Sequence, residues 1–145
     1  MRVSEAMTRE VRVATPGQSI RDVARIMAEI DAGSVPVGEN DRLVGMITDR
    51  DIAVRAVAEG RGPDTKIADV MSHEVKYCYD DDDLDDVAAN MGSIQVRRLP
   101  VVHRDKRLVG IVSIGDVAAC EDAKKAGKAL AGVSTPGGEH SQTAH

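Results

Sequence analysis

Apolar positions along the 145-residue chain follow two alternating rhythms. "VRVA" at Val11–Ala14 is short and β-branched, and Ile20, Val23, Ala24, Met27 and Ile30 then recur at the spacing of a 3.6-residue helix. Ser19 stands where it can cap that helix, and Gly33 where it can end it. "SVPVG" and "RLVGMIT" follow as two short apolar strands joined by the polar turn "ENDR", and "DRDIAVRAVAEG" predicts a second helix closed by Gly60. The element order is β-α-β-β-α.

The same order returns later in the chain: "VKYCY", a helix over Leu84, Val87, Ala88 and Met91, strands around "LPVV" and "RLVGIVS", and a helix from about Ile114. The two passages share a register. "VSEAMTREV" from Val3 matches "IADVMSHEV" from Ile67, an offset of 64 that holds through Met27 and Met91 and through Pro36 and Pro100. One extra residue in a turn makes it 65 at Gly45 and Gly110, Thr48 and Ser113, and Asp51 and Asp116. The chain therefore reads as a duplication: residues 1–59, a linker "GRGPDT" at 60–65, residues 66–126, and a flexible tail over 127–145 that is small, polar and rich in glycine. A unit of this size buries little alone, so the expected fold is α+β, two β-α-β-β-α repeats packed sheet to sheet about a pseudo-two-fold axis.

Composition narrows the function classes. With no Trp or Phe and only Tyr77 and Tyr79, the core is aliphatic and few rings are available to stack bases. The formal charge of -5 argues against a general nucleic-acid or anionic-membrane surface. No apolar run approaches a membrane span, and the first residues lack the apolar segment of a signal peptide, so a cytoplasmic protein is expected. Cys78 and Cys120 and the four scattered histidines show no metal-ligand spacing. "DDDDLDD" at Asp80–Asp86 lacks the alternating ligands and glycine of a calcium loop and reads as a solvated helix start. Met27 and Met91 read as core, and "KKAGKAL" from Lys124 as a solvated helix end.

The chemistry gathers where each "RLVG" strand turns into a helix. Thr48 can cap free amides there and Asp51 falls in the first turn, with Ser113 and Asp116 as the second copy. Backbone N–H groups and a hydroxyl suit a phosphate, and a nearby carboxylate suits the hydroxyls of a ribose, which together spell a nucleotide. The same residues equally spell an ordinary helix start, since Ser or Thr followed three places on by an acid is a capping signature. The residues alone leave both readings open.

The openings "VSEAMTREV" and "IADVMSHEV", the strands "SVPV" and "RLPV", and the motifs "GMITDRD" and "GIVSIGD" resemble the CBS-domain family, whose tandem pairs form Bateman modules. The resemblance spans Val3 to Asp122, and the combination of "GMITDRDI" with "QVRRLPVV" is similar to small stand-alone bacterial pairs of the mycobacterial hypoxic-response type. It implies a non-catalytic sensor of an adenosine-containing ligand, AMP, ADP or ATP before S-adenosylmethionine or NAD(H), with no required cofactor, acting as a homodimer or through a separate effector protein. It also implies two clefts. One would use Thr48, Asp49, Arg50 and Asp51 with Lys76, Tyr77, Val96, Arg97 and Arg98; the other Ser113, Ile114 and Asp116 with Thr15, Gly33, Ser34 and Val35. Arg97 and Arg98 offer charge-assisted bonds to phosphate, which favours the Thr48/Asp51 cleft, unless they pair with the acidic run instead. The competing classes are a ligand-free interaction module and, weakest for want of a nucleophile–base set, an enzyme.

Overall fold

A computed structural model describes residues 1–120 and 123–136. In chain order the elements are α1 (Val3–Ala6), α2 (Ile20–Ile30), β1 (Ser34–Glu39), β2 (Arg42–Thr48), α3 (Asp49–Asp51), a π-type continuation (Ile52–Val57), a 3-10 turn (Ile67–Asp69), β3 (Cys78–Tyr79), α4 (Leu84–Ile94), β4 (Arg98–Val102), β5 (Leu108–Ser113), α5 (Ile114–Cys120) and α6 (Ala123–Val133). This is the mixed α+β content expected. The chain forms two compact units, an N-unit of Val11–Lys76 with Lys106–Leu108 and a C-unit of Met1–Glu10, Tyr77–Asp105 and the residues from Val109 on.

The units do not coincide with the sequence copies. The opening of the first copy, Met1–Glu10, belongs to the C-unit, and the opening of the second, through Lys76, belongs to the N-unit. Each opening lies antiparallel against the last strand of its unit. Ser72 exchanges both backbone hydrogen bonds with Met46 on β2 (2.8 and 3.0 Å), and Thr8 does the same with Ile111 on β5 (2.8 and 2.9 Å).

In the N-unit, Ser19 caps α2 by accepting from the Asp22 amide at 3.1 Å. The helix buries Ile20, Val23, Ile26 and Met27, so its inner stripe runs through Ile26; Ala24 and Ile30, expected inside, are exposed. Asp31, not Gly33, ends it: Asp31 adopts left-handed dihedrals (φ 52°, ψ 50°) and its amide bonds to the Met27 carbonyl. β1 and β2 pair antiparallel, Ser34 opposite Thr48, through a turn whose Asn40 and Asp41 both have positive φ, as a tight hairpin requires. "VRVA" makes only a single parallel bridge, Ala14 to Val37. The ladder stops because the Thr15 amide is taken by Gln18 Oε1 at 2.9 Å and Pro16 has no N–H to offer. Ala14, Val35, Val37 and Ile47 close over α2 with Ile67, Val70 and Met71 from the second opening.

In the C-unit, β3 runs parallel to β4, with Cys78 beside Val101, and β4 lies between β3 and β5. The expected strand "VKYCY" is thus reduced to Cys78–Tyr79. α4 is capped by Asp83, whose Oδ1 accepts from the Asp85 amide at 2.8 Å, and buries Leu84, Val87, Ala88 and Met91. Residues 127–133, read above as the start of a flexible tail, are the second half of α6, which packs on α4. Small residues permit the approach. A Cβ on Gly132 would lie 2.7 Å from the Gly92 carbonyl oxygen, Ala129 is buried, and Gln95 Nε2 donates to the Thr135 carbonyl at 2.8 Å. Residues 137–145 of the expected tail lie outside the described residues. Among the described residues no helix is long and apolar enough to cross a membrane.

The acidic run is held by side chains of the C-unit itself. Arg104 Nε donates to both Asp81 oxygens (3.0 and 3.1 Å) and its guanidinium lies 3.9 Å from the centre of the Tyr79 ring, while His103 meets Asp80 at 3.0 Å and Lys125 meets Asp85 at 2.6 Å. The bond from Arg104 holds the Asp81 carboxyl below the usual range.

Candidate functional site

The strand-to-helix junctions repeat in atomic detail. At the end of β2, Thr48 Oγ1 accepts from the Asp51 amide at 3.0 Å, and Asp51 Oδ2 accepts from the Thr48 amide at 3.0 Å. At the end of β5, Ser113 Oγ accepts from the Asp116 amide at 3.1 Å, and Asp116 Oδ2 accepts from the Ser113 amide at 2.8 Å. Both are reciprocal capping boxes, so the helix-start chemistry is realised in each copy. Each box uses one carboxylate oxygen. Asp51 Oδ1 has Arg55 Nε 3.8 Å away, one helical turn on, and Asp116 Oδ1 has no partner among the described residues. The four side chains are all partly buried, at the rim of their units rather than in the core.

The pre-proline segments meet these junctions from the side. The Asp49 amide donates to the Gly33 carbonyl at 2.9 Å, and the Ile114 amide donates to the Arg97 carbonyl at 2.9 Å. A Cβ on Gly33 would fall 2.7 Å from Asp49 Oδ2, so a side chain there would displace that exposed carboxylate. Thr15, Gly33, Ser34, Val35, Thr48, Asp49, Arg50, Asp51 and Lys76 all lie in the N-unit, and Tyr77, Val96, Arg97, Arg98, Ser113, Ile114 and Asp116 in the C-unit. Val35 is fully buried in the core. Arg97 and Arg98 are exposed and form no ion pair with the acidic run, whose cations are Arg104, His103 and Lys125. The arginines thus share a unit with Ser113 and Asp116.

Arg55 was not singled out from the sequence. It donates to the Val70 and Met71 carbonyls at 3.4 and 3.5 Å as well as lying near Asp51, and the i, i+4 spacing of Asp51 and Arg55 was the available signal. Burial, helped by the charge of Asp82, pushes the Cys78 thiol up to about 12, which keeps it protonated. Among the described residues no three side chains of metal-binding type converge.

The chain is a duplicated α+β module whose copies each end a strand in a hydroxyl–carboxylate box. The family model for the CBS domain matches residues 3–57 and again 67–121, and the chain belongs to the CBS-domain family, with two copies of the domain in tandem. Hypoxic response protein 1 of Mycobacterium tuberculosis is 38% identical over 103 residues, covering 70% of this chain and 71% of that protein. Two solved structures are similar in fold. CBS domain protein PAE2072 from Pyrobaculum aerophilum, complexed with AMP, has a TM-score of 0.75 at 26% identity, over 90% of this chain and 98% of its own. The CBS domain pair of protein MJ0100, in complex with 5′-methylthioadenosine and S-adenosyl-L-methionine, has a TM-score of 0.72 at 28% identity, over 82% and 94%.

Proposed function

We propose that the chain is a non-catalytic regulatory module that binds an adenosine-containing ligand at its two strand-to-helix junctions and signals by rearranging its own oligomer or a partner protein. The carrying observation is the pair of boxes: each fixes a carboxylate with one oxygen bonded to its own turn, while the second oxygen, which at Asp51 lies 3.8 Å from Arg55 Nε, is the one that would accept from ribose hydroxyls. Support comes from PAE2072 with AMP and the CBS domain pair of MJ0100 with two adenosine compounds, both similar to this chain over most of the length of the solved chain. Adenine nucleotides lead, with S-adenosylmethionine or NAD(H) as alternative ligands. For a signal to result, the ligand must bind one arrangement more tightly than another.

A ligand-free interaction module is the second reading, favoured by the capping itself: Thr48 Oγ1 and Asp51 Oδ2 already have partners without any ligand. Thermal unfolding with AMP, ADP, ATP, S-adenosylmethionine and NADH in turn separates the two. A ligand at about 100 times its dissociation constant adds roughly 2.7 kcal/mol and raises the melting temperature. Stabilisation that is lost in Asp51→Ala or Asp116→Ala supports the sensor; no shift with any of the five at millimolar concentration sinks it.

A further inference from the structure

The two boxes differ in what lies one helical turn beyond the carboxylate. In the register of the duplication, Arg55 after Asp51 corresponds to Cys120 after Asp116. The opening segments that cross the two units are otherwise alike. The Met71 amide bonds to the Ile67 carbonyl and Ser72 pairs with Met46, just as the Met7 amide bonds to the Val3 carbonyl and Thr8 pairs with Ile111. Only the N-unit has a guanidinium at this register position.

That guanidinium has neighbours from two passages of the chain. Arg55 Nε stands 3.8 Å from Asp51 Oδ1, in the box at the end of β2, and Arg55 Nη1 donates to the Val70 and Met71 carbonyls at 3.4 and 3.5 Å, in the opening of the second copy. Arg55 lies in the π-type stretch Ile52–Val57, where the Ala58 amide bonds five residues back to Ala53. Each contact is weak on an exposed side chain, but one rigid planar group makes all three. Moving it at one end moves it at the other.

We propose that Arg55 is a coupling residue, which passes occupancy of Asp51 to the backbone of residues 67–76. This rests on the adenosine reading above, in which Asp51 Oδ1 accepts from a ribose hydroxyl. The same oxygen faces Arg55, so a hydroxyl bonded there shares the charge that holds the guanidinium, and the hold on the Val70 and Met71 carbonyls loosens. The coupling runs both ways: whatever fastens residues 67–76 weakens the ligand at Asp51 by the same factor. The Asp116 junction, with Cys120 in place of the arginine, lacks the link. One junction reports its ligand through a segment of the other copy, and the second only binds.

Amide hydrogen exchange over residues 67–76 tests this, followed by mass spectrometry in wild type and Arg55→Gln, with and without AMP or S-adenosylmethionine. In the ligand-free protein Arg55→Gln should speed exchange of this segment by up to about fivefold, the range of one exposed charged contact. In wild type either compound, once bound, should speed it too. In Arg55→Gln calorimetry should show the same binding stoichiometry, with the exchange response gone. Exchange that is unchanged by Arg55→Gln without ligand, a ligand response that persists in Arg55→Gln, or wild-type exchange that bound ligand leaves unmoved or slows overturns the coupling and leaves the adenosine reading standing. Binding of neither compound to the wild type overturns the coupling together with that reading.

Discussion

At the scale of single residues, the glycines that open the two motifs are spacing elements for the backbone that crosses them. A Cβ on Gly45 would lie 2.9 Å from both Met71 Sδ and the Ser72 carbonyl oxygen, and one on Gly110 would lie 2.7 Å from Met7 Sδ and 2.8 Å from the Thr8 carbonyl oxygen. The methionine can swing aside, but the carbonyl is tied into the bridge to Met46 or Ile111 and cannot. Gly45→Ala and Gly110→Ala should therefore each cost about 1–3 kcal/mol, as overpacking does, by displacing an opening segment from the strand it pairs with. Urea unfolding checks the loss, and an unchanged midpoint would mean that the segment yields freely. The repeated pattern in the sequence was legible as glycine, hydroxyl and carboxylate. The glycine's reason was not, because the carbonyl that forbids a side chain comes from 27 residues further on in one case and more than 100 earlier in the other.

At the scale of elements, helices and hairpins were legible wherever local chemistry decides them. Ser19 caps α2 as expected, Gly60 ends the helical stretch after Asp49 with φ 75°, and the β1–β2 turn falls on its polar residues. What failed locally was decided by distant partners. "VRVA" is β-branched but is halted at one bridge by Gln18 and Pro16, and residues 127–133 of α6 fall within the expected tail because their small residues gain meaning only against Gly92 on α4. The acidic run shows the same dependence: seven residues with six carboxylates become a stable helix approach because Arg104, His103 and Lys125 meet them from elsewhere in the unit. This has a pH consequence with a definite sign. Asp81 titrates below its ordinary range in the folded unit, so its contribution to stability is present above the unfolded carboxylate pKa and is lost as pH falls through the lowered folded value. Arg104→Ala should move the Asp81 carboxyl back up toward its ordinary range and weaken the dependence of stability on pH below about 4, the ordinary aspartate region. An NMR titration of Asp81 with acid unfolding in parallel reads both effects; an Asp81 that still titrates low without Arg104 would assign the shift to its backbone surroundings.

At the scale of the whole molecule, the sequence copy and the folding unit are different objects. Copy one by sequence, residues 1–59, lacks Ile67, Val70 and Met71, which are almost completely buried in the N-unit core. Each such side chain contributes about 1.5–3 kcal/mol when buried, and a small domain holds only about 0.05–0.15 kcal/mol per residue of net stability, so losing three is comparable to the whole margin. The duplication therefore did more than double a site, because it made each unit depend on a segment that the sequence assigns to the other copy. The boundary that matters runs after Lys76, where contacts change allegiance, and not through "GRGPDT". A fragment of residues 11–76 should retain a cooperative urea transition and helical circular dichroism, while a fragment of residues 1–59 should show neither. Equal folding of both fragments would show that the openings are dispensable, and that the repeats inherited from the duplication are still independent.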